Sequence, residues 1–283
     1  MQIGFFTSTL HDRPLSDVLD FAAEVGFDAV ELDAGRHVRE PERVADAVAA
    51  AKKLGLAVSS IAVVGNQLDP DRTKREAFRA TTAAYCEASA AAGVPIVILF
   101  PGYDPSMSED DNYADFAAHA QTLLADTQDS GLQLALENWP GPDNRFIGTT
   151  PAGLKKLFAA IPDTRFGIEF DPSHFVRLGI DHMRAYDEVA DRVKMLHAKD
   201  TSIDKEVLQQ VGYHGENWWR YRLPGRGLID WPAFIAKVRQ HGFDGTIAIE
   251  HEDADYGWPR GDWYARIKGE TEALNFLREL MTP

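Results

Sequence analysis

Short β-branched runs alternate eight times with longer amphipathic stretches rich in Ala and Leu, and this alternation constrains the fold more than any other feature. The strand candidates are Gln2–Thr7, Ala29–Leu32, Leu56–Val64, Pro95–Phe100, Leu132–Glu137, Phe166–Asp171, Val193–His197 and Thr246–Glu250. Helical patterns follow them, as in Leu15–Val25, Pro41–Leu54 and Thr73–Ala92. Gly26, Gly55, Gly93 and Gly131 fall just past helical runs, where a left-handed cap favours glycine. Thr150 and Pro151 read as an N-cap followed by a first-turn proline. Repeated strand–helix units force parallel strands covered by helices.

Two architectures satisfy that pattern, an open doubly wound sheet and a closed (β/α)8 barrel. Eight units in 283 residues is the usual size of the barrel. A dinucleotide-binding sheet would carry a glycine fingerprint after its first strand. Here that turn reads Thr7-Ser8-Thr9-Leu10-His11-Asp12, without glycine. No linker or composition shift divides the chain, so residues 1–283 are expected to form one α/β (β/α)8 TIM barrel domain. The longest interruption, Asp200–Asp230, is rich in aromatic and basic residues, including Trp218, Trp219, Tyr221 and Arg226. A loop of that length in a compact barrel usually has a function. Trp218 and Trp219 either close over the mouth when ligand binds or anchor a contact between copies in a homo-oligomer.

Charge and composition remove several partners. Forty-four acidic side chains against 29 Lys and Arg give a net charge of −15, which repels phosphate backbones and argues against nucleic acid. Cys86 is the single cysteine, which excludes an intrachain disulfide and any multi-cysteine metal site. No apolar run approaches the roughly 18 residues of a membrane span. The N-terminus shows neither a basic segment nor a long apolar one, and the expected location is cytoplasmic.

In such a barrel the active site lies at the C-terminal ends of the strands. The fifth strand ends in Glu137-Asn138-Trp139 and the sixth in Asp171-Pro172-Ser173-His174. The seventh ends in His197-Ala198-Lys199-Asp200 and the eighth in Glu250-His251-Glu252. Four consecutive strands thus deliver Glu137, Asp171, His197 and Glu250 to one rim. Three carboxylates and an imidazole would repel one another there unless a cation sat between them. Oxygen ligands with one nitrogen suit Mn²⁺ first, with Mg²⁺, Co²⁺ or Zn²⁺ as alternatives. Glu169 shares the face of Asp171 and either points into the barrel or is a buried, paired structural acid, the favoured reading. His174 either returns to the same pocket or caps the next helix. Asp200 and His251 are candidates for orienting the ligands.

The chain is similar to the xylose isomerase-like barrel superfamily, which includes ketose 3-epimerases, hydroxypyruvate isomerase, inosose dehydratase and endonuclease IV. The resemblance rests on Glu137-Asn138, Asp171-Pro172-Ser173-His174, His197-Ala198-Lys199-Asp200, Glu250, and the turn Gly225-Arg226-Gly227 before Asp230-Trp231. It implies one divalent metal held by Glu137, Asp171, His197 and Glu250. It also implies that Glu137 and Glu250 act as acid and base, with His174 on a substrate oxygen. The epimerase branch places a substrate arginine where this chain has Ile203, and Arg226 or Lys199 is the substitute; Trp139 completes the expected substrate contacts. The DNA-repair branch needs histidines after strands three and four, where this chain has Val64-Gly65-Asn66 and Phe100-Pro101-Gly102.

The expected activity is that of a metal-dependent sugar isomerase or epimerase acting on a ketose or keto-sugar. A cation beside the carbonyl and a neighbouring hydroxyl stabilises the developing enediolate, while one glutamate removes a proton and a second acid returns it. The alternative is a lyase or dehydratase on a keto-polyol or 3-keto-glycoside, using the same site. A non-catalytic sugar-binding barrel is a third reading, which paired acids at four strand ends argue against. No Arg–Lys cluster marks a phosphate site, which favours an unphosphorylated sugar, although Arg220, Arg222 and Arg226 keep the phosphorylated option open.

Overall fold

Eight strands close a parallel barrel in the computed structural model, which describes residues 1–282. In chain order they are β1 (Gln2–Phe6), β2 (Ala29–Asp33), β3 (Ala57–Val63), β4 (Ile96–Leu99), β5 (Gln133–Glu137), β6 (Phe166–Phe170), β7 (Val193–Ala198) and β10 (Thr246–Ile249). The remaining two, β8 (Asp200–Ile203) and β9 (Trp219–Arg222), form a separate antiparallel pair. Around the barrel the order is β1-β10-β7-β6-β5-β4-β3-β2, and closure pairs Gln2 with Thr246 and Phe5 with Ile249. All eight strand expectations hold to within two residues at either end.

The outer layer comprises α1 (Leu15–Val25), α2 (Val44–Lys53), α3 (Arg72–Ala92), α4 (Glu109–Asp126), α5 (Pro151–Ala160), α6 (Pro172–Arg177), α7 (His182–Val189), α8 (Lys205–Val211), α9 (Trp231–Gln240) and α10 (Trp263–Met281). The boundary signals act as expected. Gly26, Gly55, Gly93 and Gly131 have φ of 90°, 80°, 76° and 72°, and the Thr150 hydroxyl accepts from Gly153 N–H at 3.1 Å. The stretch Pro41–Leu54 is one 3-10 turn followed by α2. Cys86 lies buried in α3, its thiol pushed up to about 12 by burial, as suits a packing residue.

Alternation along each strand separates two cores. One face packs on the helices. The other fills the barrel with Phe6, Ala62, Ile96, Ile98, Ala135, Met195 and Ala248. Gly167 is required by close approach, since a Cβ there would stand 2.0 Å from the Arg192 carbonyl oxygen. Two pairings slip in register, between Val30 and Glu31 against β3 and between Ile168 and Glu169 against β7. Each slip leaves an extra residue on the neighbouring strand, Ser59 and Lys194, just before the step onto a glutamate.

The Asp200–Asp230 interruption is folded. β8 and β9 pair antiparallel, with Thr201 opposite Tyr221, and α8 bridges them. Asp200 accepts from Gly225 N–H, Ile229 N–H and Trp231 Nε1 at 3.0–3.1 Å, which fastens the insertion to the start of α9. It therefore anchors the insertion and does not orient a ligand, contrary to the sequence expectation. Among the described residues, no helix is long and apolar enough to cross a membrane.

Candidate active site

The barrel geometry brings one ligand atom each from Glu137, Asp171, His197 and Glu250 within 4.8 Å of one another. Local structure explains why they stay there. Asp171 caps α6, its Oδ1 accepting from Ser173 N–H at 2.7 Å, while Oδ2 is buried without a hydrogen bond. Asn138 clamps the Asp171 backbone, accepting from its N–H and donating to its carbonyl, both at 2.9 Å. His197 stacks on Phe6 with ring centres 5.9 Å apart, and its buried Nδ1 also lacks a hydrogen bond. Glu250 Oε2 and Glu137 Oε1 lie 3.0 and 3.4 Å from that nitrogen, and carboxylates crowded on one buried imidazole edge are costly without a cation between them. This donor set fits a divalent cation, with the Nδ1 edge of His197 and the carboxylates of Glu137, Asp171 and Glu250 as the ligating groups.

Electrostatics tells the same story. Burial raises Glu137 to about 7, with help from the negative charge of Glu250. Burial also raises Asp171, against the pull of Lys199. Glu250 differs: burial acts to raise it, but Lys199 and His197 outweigh that and hold it below the usual carboxylate range. Lys199 itself is buried, bonded to Glu250 and placed 3.1 Å from Asp171 Oδ2 and 3.2 Å from Glu252 Oε2. Its ammonium also lies 4.4 Å from the Tyr221 ring centre.

A hydrogen-bonded chain runs from the mouth to Glu137. Arg177 lies over the Trp219 ring at 4.0 Å and donates to the Tyr221 oxygen at 3.1 Å. Tyr221 Oη is 2.8 Å from His174 Nδ1, and His174 Nε2 is 3.0 Å from Glu137 Oε1. Burial and the Lys199 charge push His174 well below its ordinary value, so the ring is neutral. A neutral imidazole has one donor and one acceptor, and an ionised Glu137 can only accept. The consistent assignment is Tyr221 donating to Nδ1 and Nε2–H donating to Glu137.

These groups floor a cavity of about 400 Å³. Phe6, Val64, Phe100 and Trp139 form an apolar wall, and Arg177, Trp219 and Tyr221 stand at the insertion side. The cavity thus collects Glu137, Glu250, His174, Lys199 and Trp139, as the sequence led one to expect. It does not collect Arg226, which pairs with Glu272 at 2.7 Å and lies over Tyr256 in a separate surface cleft. His251 also departs from expectation. Its Nδ1 accepts from Asp253 N–H, and its ring packs on Tyr256 and α10 instead of a ligand. Trp218 is 4% exposed and packs on Tyr213, so Trp219 alone of the two indoles reaches the cavity.

Sequence reasoning missed Arg177, Tyr221, Glu252 and Glu31. Tyr221 and Trp219 share one face of β9, a period of two that was readable within the insertion. Glu31 is a carboxylate inside an apolar strand, the kind of residue that should draw notice. With Glu169 it forms a fully buried pair around His197 Nε2, at 3.0 and 3.1 Å. Glu169 is thus buried and paired, as expected, and also points into the barrel.

Comparison with known proteins agrees with the barrel fold. YfiH of Bacillus subtilis is 24% identical over 298 residues, covering 89% of this chain and 93% of its own. Inosose dehydratase of Lacticaseibacillus casei is 24% identical over 147 residues, 50% of this chain and 48% of the enzyme. A D-psicose 3-epimerase crystallised with D-fructose superposes with a TM-score of 0.76 at 17% identity, covering 99% of both chains. The IOLI protein, crystallised with a zinc atom, superposes with a TM-score of 0.76 at 17% identity, covering 99% of this chain and 98% of its own. The xylose isomerase-like TIM barrel family matches residues 19–280, and this chain belongs to that family.

Proposed function

We propose that the protein is a divalent-metal-dependent isomerase or epimerase of a ketose or keto-sugar, working through an enediolate. The observation that carries this reading is the gathering of Glu137, Asp171, His197 and Glu250, one ligand atom each within 4.8 Å of the others, with Glu137 and Glu250 lining a cavity. Mn²⁺ is the favoured ion, and it would polarise the substrate carbonyl so that the neighbouring proton can leave. The psicose epimerase and the zinc-containing IOLI protein of like fold support the substrate class and the metal.

Glu137 and Glu250 come from β5 and β10, separated around the barrel by β6 and β7, so they approach the site from two sides. Glu250 is kept ionised by Lys199 and is the base that removes the proton. Glu137, raised to about 7 and bonded to His174, is the acid that in its protonated form supplies a proton in exchange, leaving the abstracted one on Glu250. Delivery to the other face of the same carbon is epimerisation; delivery to the adjacent carbon is isomerisation. Trp139 and Phe100 cover the C–H face of the sugar and exclude water, while His174, Lys199 and Arg177 bind its oxygens.

A second reading, elimination from a keto-polyol or 3-keto-glycoside, draws on the ammonium of Lys199 beside Glu250 and Glu252, which could hand a proton to a leaving hydroxyl. The inosose dehydratase likeness adds to it. Incubation with a ketose and keto-sugar panel in D₂O with Mn²⁺ tests both. Deuterium incorporation with a new epimer or isomer is expected. Loss of water or aglycone would favour the lyase. No exchange with any sugar would overturn the proposal.

A further inference from the structure

Beneath the metal ligands the barrel holds a second acidic pair that the proposed chemistry does not use. Glu31 on β2 and Glu169 on β6 are fully buried, and three of their four carboxylate oxygens have no hydrogen bond. Their one shared neighbour is His197 Nε2, to which Glu31 Oε2 is hydrogen bonded at 3.0 Å, with Glu169 Oε1 at 3.1 Å. Both glutamates sit at the two register slips of the barrel. Bulges commonly re-aim side chains next to active sites. Across the strands Ser60 pairs with Glu31, and Met195 and the ligand candidate Glu137 flank Glu169. Two buried carboxylates on one imidazole nitrogen cost desolvation energy that packing alone would not repay.

We infer that Glu31, seconded by Glu169, is a positioning residue that holds His197 as the Nε2–H tautomer, so that Nδ1 always faces the cation site. The inference rests on the metal centre proposed above. An imidazole offers its lone pair on one nitrogen only, and the hydrogen bond of the other nitrogen decides which. A carboxylate acceptor also makes the ligating nitrogen more basic. Glu31 accepts that N–H. Glu169 lies at the same nitrogen without forming the bond and takes over when Glu31 is absent. The ring is further fixed by Phe6 on its face. The barrel therefore sets the orientation of its metal ligand from below, through two strands that contribute no ligand of their own and one, β6, that also leads to Asp171.

The test compares wild type with Glu31→Gln, Glu31→Leu and Glu31→Leu/Glu169→Gln. Chelator-treated protein is titrated with Co²⁺ and Mn²⁺, with the visible Co²⁺ spectrum and the metal-free melting temperature recorded. Expected metal affinity falls by about 10-fold for Glu31→Gln, which keeps a neutral acceptor, and by about 100-fold for the double variant, with Glu31→Leu between them. The Co²⁺ band should shift or weaken while the metal-free melting temperature does not fall. A merely structural acid would give the opposite pattern, lower metal-free stability with wild-type affinity in the folded fraction, and that would overturn the inference. Two ions per wild-type chain, the second lost in Glu31→Gln, would also overturn it and make the pair a metal site of its own. A wild type that binds no ion would overturn the metal centre and this inference together, whereas equal binding by all four proteins overturns this inference alone.

Discussion

The two halves of the barrel mouth are made of different chemistry. β5, β6, β7 and β10 run out into Glu137, Asp171, His197 and Glu250, while β1, β3 and β4 bring Phe6, Val64 and Phe100 to the same cavity. Even the acid that ends β2 is otherwise engaged: Asp33 accepts from Arg36 N–H at 3.1 Å and caps a helical turn. One half can hold a cation and move protons; the other can cover a sugar's C–H face and keep water out. A strand-end acid is therefore informative only when its hydrogen bonds are not spent on capping. Asp171 shows the distinction within one side chain, with Oδ1 on the Ser173 N–H and Oδ2 turned toward Lys199 in the site.

The acid half should fail through turnover. Glu137→Gln and Glu250→Gln keep shape but cannot exchange a proton, and kcat should fall by roughly 10²–10⁴-fold with fold retained. Steady-state kinetics at matched metal content checks this. Near-full activity of either variant would remove that glutamate from the acid–base pair. The apolar half should fail through binding. Phe100, which follows β4, lines the cavity and packs on Trp139 at 5.1 Å, and Phe100→Ala should raise KM about 10-fold with kcat little changed, a loss of about 1.4 kcal/mol. A kcat effect as large as that of Glu250→Gln would erase the division between the halves.

Proton linkage sharpens the same contrast. Glu137 is raised to about 7 by burial and by Glu250, so below that pH a proton would compete with the proposed cation for its carboxylate. Metal affinity should fall by up to about 10-fold per pH unit as pH drops through 7, read by titration at pH 6, 7 and 8. Glu270 is a fully buried acid beside the Thr9 side chain, and burial raises it well above its ordinary value. The unfolded chain releases that proton above about 4.5 while the folded chain keeps it, so stability falls as pH rises through this window. Glu270→Gln should therefore raise the melting temperature by a few degrees at pH 8, less at pH 5, with metal affinity unchanged.

Much of this was legible in the sequence because the site follows from strand order. An apolar run that stops at an acid places that acid on the rim, and the four ligand candidates needed nothing more. What escaped depended on directions that spacing does not encode. Arg226 lies near the mouth in sequence, yet the turn at Gly225 sends it to Glu272 on α10. Arg177, at the end of the short α6, reaches the cavity through its stacking on Trp219. Trp218 and Trp219 are adjacent and looked equivalent, but β9 begins at Trp219, and strand alternation then puts Trp219 and Tyr221 on the cavity side. Glu31 lies mid-strand in β2, one layer below the rim, where strand order alone does not mark it.

On the proposed reading the acid half holds one divalent cation through four protein ligands. Calorimetric titration of the chelator-treated protein with Mn²⁺ is run on wild type and Asp171→Ala side by side. One ion per wild-type chain is expected, with at least about 100-fold weaker binding by the variant, because an anionic ligand is lost outright. Equal binding by both proteins, or none by the wild type, would contradict it.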